Sequence, residues 1–187
     1  MELVATEIPG VLIVRVDRFG DERGFFSETY RKVWFDDAGI DVGFVQDNHS
    51  FSAEIGTVRG LHFQIPPREQ AKLVRVSRGR ALDVVVDIRA GTPTYGRHVA
   101  VELSARQWQQ LYVPPGFAHG FCTLEVDTEV LYKVSDYYSP EHDKGLLWND
   151  SDLGIAWPIA AEEAVVSDRD REHPGLADLP AYFTEET

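Results

Sequence analysis

Nine short segments carry most of the apolar residues: 11–16, 44–48, 58–64, 72–77, 81–88, 98–103, 110–113, 120–124 and 129–134. Each is rich in Val, Leu, Tyr or Phe and is bounded by turn residues. That spacing predicts an all-β sandwich or barrel and excludes a chain of βαβ units. Arg78-Gly79 and Ala90-Gly91-Thr92-Pro93-Thr94-Tyr95-Gly96 read as turns. Helix is scarce: Thr29 is placed to cap a short one that passes through Lys32 and Phe35 and ends at Gly39. The tail from Ala161 onward is expected to lay another short helix over one end. No Gly/Ser-rich or Pro-rich linker and no repeat divides the sequence, so a single domain is read over 1–187, with its core at about 10–160 and the tail reaching the site.

Strand parity adds chemistry to this pattern, because successive side chains face opposite sides. Lys72 shares a face with Val74 and Val76, and Tyr132 shares one with Val130 and Val134. One such residue is ordinarily a rim side chain with its polar end in water. Two on strands of one barrel point to a polar pocket. In 58–64 strict alternation separates His62 from Arg59, so the two can serve one site only if Gly60 marks a bulge.

Composition narrows the partners. The chain has 18 Lys plus Arg against 31 Asp plus Glu, a net charge of −13, which repels a phosphate backbone. A nucleic acid polymer is not expected as a partner. No apolar run is long enough to span a bilayer, and Met1-Glu2-Leu3-Val4 does not begin a signal peptide. With a single cysteine, Cys122, the expected setting is reducing and cytoplasmic, away from membranes. The charge is uneven: 59–89 carries seven basic and three acidic groups, whereas 120–187 carries four and sixteen. The basic stretch is either a solvated face or an enclosed anion site.

Signatures of P-loop ATPases, dinucleotide-binding dehydrogenases, zincins and α/β-hydrolases are absent. Two chemistries remain for the histidines. His62, His119 and His49 with Glu69 would make a scattered metal set. The position two after His62, where a second inward ligand is usual on such barrels, is Gln64, a poor ligand. Alternatively His62 is a general base, which needs an orienting carboxylate; Asp168 and Asp170 are both placed to supply it.

Asp21-Glu22-Arg23-Gly24-Phe25-Phe26-Ser27-Glu28, Gln46-Asp47-Asn48-His49-Ser50 and Val58-Arg59-Gly60-Leu61-His62-Phe63-Gln64 closely resemble the dTDP-4-dehydrorhamnose 3,5-epimerase family. So do Gln70-Ala71-Lys72-Leu73-Val74, Tyr132-Lys133-Val134, Tyr137-Tyr138-Ser139-Pro140-Glu141-His142-Asp143 and Ser167-Asp168-Arg169-Asp170. The resemblance runs through nearly the whole chain in order. It implies a cupin-type jelly roll with a few short peripheral helices. It also implies a homodimer with an exchanged strand near the amino terminus, and an epimerase that needs neither metal nor other cofactor and acts on a dTDP-4-keto-6-deoxy sugar.

By the same resemblance His62 is the general base, Asp170 its orienting partner, Tyr132 the acid on the other face of the sugar, and Lys72 the cation beside the C4 oxygen. Arg23, Phe26, Glu28, Gln46, Asn48, Arg59, His119, Tyr138, Asp143 and Arg169 match positions around the nucleotide and sugar, Arg23 coming from the partner subunit and Phe26 offering a stacking surface. Asp143 stands where the family more often has Glu, one methylene longer. The expected reaction is conversion of dTDP-4-dehydro-6-deoxy-D-glucose to dTDP-4-dehydro-L-rhamnose in dTDP-L-rhamnose biosynthesis. Alternatives are a 3- or 5-specific epimerase of the same family serving another deoxysugar and, more distantly, a non-catalytic sugar-binding or metal-dependent cupin.

Overall fold

The computed structural model describes residues 1–184; the last three residues of the domain read over 1–187 lie outside the described residues. In chain order the elements are β1 (Glu2–Ala5), β2 (Leu12–Arg15), β3 (Phe19–Asp21), β4 (Gly24–Phe26), α1 (Lys32–Asp37), β5 (Gln46–Ser52), β6 (Thr57–Gln64), β7 (Lys72–Arg78) and β8 (Arg80–Asp87). There follow β9 (Arg89–Ala90), β10 (His98–Ser104), β11 (Gln109–Val113), β12 (Phe117–Thr123), β13 (Thr128–Val134), β14 (Asp143–Gly145), β15 (Val165–Val166), α2 (Asp168–Arg171) and β16 (Phe183–Thr184). One sheet has the order β1-β2-β11-β7-β13-β5 and the other β10-β8-β12-β6-β14, all antiparallel, with β15 added parallel to β6. This is the expected jelly roll.

The chain leaves one sheet for the other at Gly79, between β7 and β8. Its φ of +77° and the proximity of Thr128, whose Oγ1 would lie 2.4 Å from a Cβ, restrict that corner to glycine. Apolar side chains fill three layers. Between the sheets lie Val74, Val76, Val85, Leu111, Phe117, Phe121 and Val130. Behind the first sheet, α1 and its flanks cover Leu73 and Tyr112 with Phe35 and Val42. Behind the second, the carboxy-terminal tail covers Val58, Leu61, Val84, Val86 and Cys122 with Leu153, Ala164, Leu179 and Phe183. Covering on both faces explains why 83–87 is buried without interruption: alternate residues serve different layers.

One cap and two strand boundaries need correction. Thr29 does not cap α1: the N-cap is Arg31, with no side-chain hydrogen bond, and Thr29 instead accepts from Gln110 Nε2 through its carbonyl at 2.7 Å. The strand expected at 120–124 begins earlier, at Phe117, and that expected at 44–48 runs from Gln46 to Ser52. The short helix expected in the tail is present, as a single turn at Asp168–Arg171 that follows the bridge made by β15.

Candidate active site

A cavity of about 600 Å³ opens between the two sheets, within the range that holds a small ligand. Gln46, Asn48 and Ser50 of β5 line it with period two, alongside Lys72 of β7 and Tyr132 of β13. Arg59, His62 and His119 line it from the other sheet, Tyr138 from the segment before β14, Asp143 from the start of β14, and Arg169 and Asp170 from the tail.

Arg59 and His62 share the cavity because of a bulge. On β12, His119 pairs with His62 and Phe121 with Arg59, so Gly60 and Leu61 together oppose Gly120. The extra residue inverts parity: Val58, Leu61 and Phe63 face the tail, while Arg59 and His62 face inward. Two glycines permit it. A Cβ on Gly60 would come within 2.7 Å of the Gly120 Cα, and one on Gly120 within 2.6 Å of the Arg59 carbonyl.

Of the two candidate carboxylates it is Asp170 that meets His62, Oδ1 to Nε2, at 2.7 Å; Asp168 is exposed. Delivery follows from the tail. The bridge of β15 onto β6 at Thr57 and Val58 brings Ser167 to the rim, where its Oγ accepts from the Asp170 N–H at 3.1 Å as an N-cap. Asp170 Oδ2 accepts from the Gly60 N–H at 3.1 Å. Burial alone would raise this carboxyl, but the imidazoles of His173 and His62 and the Gly60 amide together hold it well below the usual carboxylate range.

Lys72 is buried, and its ammonium donates to the His62 carbonyl at 3.0 Å, reaching across from the first sheet. Burial lowers it to about 8, against the pull of Asp143 and Asp83. Burial also raises Tyr132, opposed by Arg59, so its phenol stays protonated at neutral pH. His119 donates from Nε2 to Asp83 Oδ1 at 2.8 Å, both groups being buried. Arg59 donates to Ser52 Oγ and the Phe51 carbonyl at 3.1 and 3.0 Å. Gln46 bridges to Asn48 at 2.9 Å and accepts from the Tyr138 N–H at 3.1 Å, and Arg169 donates to Asp143 at 2.7 Å.

Arg23, Phe26 and Glu28 do not line this cavity. Arg23 pairs with Asp21 and Glu28 with Arg31, and the β3–β4 hairpin leaves Phe19 and Phe26 61% and 65% exposed. Of the seven basic residues in 59–89, only Arg59 and Lys72 line it; Arg68, Arg78, Arg80 and Arg89 pair with acids elsewhere. The solvated-face reading thus holds for most of the basic stretch, with two cations set inside.

His49 is exposed and pairs with Glu129 at 3.0 Å, away from His62. The described residues instead gather His62, Asp170 and His173, with ligand-type atoms within 4.8 Å of one another. The sequence reading did not single out His173. No local pattern marks it: its ring is seated on Gly145, 28 positions earlier, where any Cβ would meet the ring.

Residues 5–178 match the protein family described as dTDP-4-dehydrorhamnose 3,5-epimerase. A relative of that description from Sinorhizobium fredii is 52% identical over 183 residues, covering 98% of this chain and 93% of its own. The crystal structure of dTDP-4-dehydrorhamnose 3,5-epimerase from Bacillus anthracis, with TDP and pyrophosphate bound, is 47% identical; the match covers 93% of this chain and 98% of that one, with a TM-score of 0.89. That of the Legionella pneumophila enzyme, dTDP-6-deoxy-D-glucose-3,5-epimerase in complex with dTDP-4-keto-L-rhamnose, is 40% identical over 96% of this chain and 95% of that one, with a TM-score of 0.91. A sequence match over nearly the whole chain, on a fold whose cavity gathers His62, Lys72, Tyr132 and Asp170, shows that this chain belongs to the dTDP-4-dehydrorhamnose 3,5-epimerase family of isomerases.

Proposed function

We propose that the chain inverts C3 and C5 of dTDP-4-dehydro-6-deoxy-D-glucose to give dTDP-4-dehydro-L-rhamnose, the sugar precursor of dTDP-L-rhamnose, by a metal-independent route. The observation that carries this reading is the opposition of His62, on β6, to Tyr132, on β13, across one cavity between the sheets. A C–H bond beside a ketone becomes acidic only when the charge moving onto the carbonyl oxygen is stabilised. Lys72, aided by Arg59, meets that charge in a site of low dielectric. His62, oriented by Asp170, takes the proton from one face, leaving an enolate, and Tyr132 returns a proton to the other, which inverts the carbon. Both C3 and C5 flank the C4 ketone, so one set of groups serves both. Gln46, Asn48, His119, Tyr138, Asp143 and Arg169 bind the nucleotide and sugar, arginine being suited to a diphosphate by its planar fork.

Arg23, Phe26 and Glu28 complete the site of a partner in a homodimer; support comes from their absence from the lining of their own chain's cavity and from the exposed Phe19 and Phe26. The chain is read as one catalytic domain acting in the cytoplasm, where the lone Cys122 stays reduced.

Incubation with dTDP-4-keto-6-deoxyglucose in D2O, followed by NMR of the sugar protons, tests the reaction. Deuterium is expected at both C3 and C5. Exchange confined to C3 would refute the double epimerase. Turnover is expected to survive chelation, and a stoichiometric requirement for iron, manganese or zinc would refute the metal-independent route.

A further inference from the structure

His173 has no part in the chemistry above, yet it sits where a group that governs the base would sit. Its side chain is 11% exposed, and its Nε2 is buried without a hydrogen-bond partner, 3.6 Å from Asp170 Oδ1, the same oxygen that meets His62 at 2.7 Å. The two imidazoles stand edge to face, with ring centroids 5.7 Å apart and planes at 84°. A bare lone pair at that distance from an ionised carboxylate would be repelled. The Nε2 facing Asp170 therefore carries a proton. The pocket for this ring is built from β14: Gly145 pairs with His62 across the β14–β6 ladder, and any side chain at 145 would occupy the ring's space, since a Cβ would lie 2.2 Å from it. A short helix of one turn is a weak platform for a carboxylate that must hold a set direction. Asp170 has the Gly60 N–H on Oδ2, but Oδ1 has only His62 at hydrogen-bond length.

We propose that His173 is a positioning residue for the dyad: its Nε2–H flanks Oδ1 beside the His62 ring and keeps that oxygen directed at the base, with Gly145 as the seat that makes this placement possible. The proposal rests on the reading of His62 as the base and adds to it a third member, outside the reach of substrate. Its consequence has a sign. An N–H beside Oδ1 draws off part of the carboxylate's charge, so His62 holds its proton less tightly than it would against Asp170 alone. Removing that N–H leaves a more basic carboxylate and an imidazolium better stabilised, so the base is protonated to higher pH and its ring is less well directed.

The test uses the full chain with ring-labelled histidine and follows the His62 imidazole by NMR as pH is varied, beside kcat and KM for the dTDP-4-keto sugar. In His173→Phe, which keeps a ring and loses the N–H, His62 is expected to titrate about half a pH unit higher. There kcat is expected to fall roughly tenfold, with KM near that of the parent. His173→Gln keeps an N–H and is expected to restore both. Should Phe not fit against Gly145, His173→Leu carries the same comparison. A variant that loses thermal stability while the His62 titration stays in place would make His173 a packing residue and overturn the proposal. If His62 shifts as expected in a protein that does not turn over this sugar, the positioning role stands and the assigned reaction fails.

Discussion

Two histidine–aspartate pairs stand side by side in this molecule. His62 and His119 are direct neighbours on β6 and β12, and their Nε2 atoms lie 2.7 and 2.8 Å from Asp170 and Asp83. The chemistry of the two pairs is the same. Their surroundings are not: the side chains of His119 and Asp83 are 7% and 1% exposed, whereas His62 is 34% exposed beside an Asp170 at 6%. Asp83 comes from the strand adjoining β12, inside the sheet, while Asp170 is separated from His62 by 108 residues and arrives on the tail. An imidazole must reach a ligand's carbon to take its proton, so access divides the roles. On the proposed mechanism His62 is the base, and His119 is a fixed polar wall of the cavity that can contact the ligand without moving its protons.

Removing each histidine should separate activity from stability. His62→Ala is expected to abolish deuterium exchange, a loss of about a thousandfold or more, with little change in melting temperature. Asp170→Asn keeps the shape but alters the tautomer it supports, and is expected to lower kcat by roughly two orders of magnitude. His119→Leu leaves Asp83 buried and unpaired, and should cost about 3 kcal/mol of stability, read by denaturant unfolding. Equal destabilisation by His62→Ala and His119→Leu would erase the distinction.

The next largest effects lie on the opposite sheet. Tyr132→Phe should reduce net epimerisation about a hundredfold while wash-in of deuterium at C3 falls much less, because abstraction by His62 persists; equal loss of both would contradict the role of the phenol. For Lys72, burial sets a folded-state value of about 8, against about 10.4 in an unfolded chain. The ammonium is lost as pH rises through 8, so kcat should fall on that limb. Between the two values the unfolded chain binds more protons, so the Lys72 contribution to stability rises with pH. Lys72→Met should remove the alkaline limb and flatten the stability profile there, with kcat about a hundredfold lower. Persistence of the limb would assign it to another group.

How much of this was legible in the sequence depends on range. The inward Lys72 and Tyr132 followed from parity, since β7 and β13 are regular through those positions. The bulge at Gly60 was legible as a requirement, because Arg59 and His62 could not otherwise share a face. Asp170 against Asp168 was open on the residues alone; the choice depends on where β15 docks on β6 and on the phase of a one-turn helix, neither of which has a local signal. His173 was hidden for the same reason, its seat lying on a strand 28 positions earlier at Gly145. The misplaced cap at Thr29 shows the converse: the Thr29 carbonyl is taken up by Gln110, and Arg31, extended at φ −140° and ψ 126°, stands at the N-cap instead.

The smallest effect concerns Asp143, where the family resemblance leads one to expect Glu, a methylene longer. Its side chain is 12% exposed and accepts from Arg169 at 2.7 Å, and that hydrogen bond raises the Arg169 guanidinium above its ordinary value. The pair ties β14 to α2, the helix that delivers Asp170, but neither member hydrogen-bonds to His62. Asp143→Ala should therefore free Arg169 and raise KM roughly fivefold with kcat nearly constant. Asp143→Glu moves the carboxylate about 1.5 Å along its stem, a distance the half-exposed Arg169 can follow, so a change in KM of less than about threefold is expected. If Asp143→Glu instead lowers kcat as Asp170→Asn does, the tail carries the strain of this contact into the dyad, and the boundary drawn between binding residues and the base must move to include Asp143.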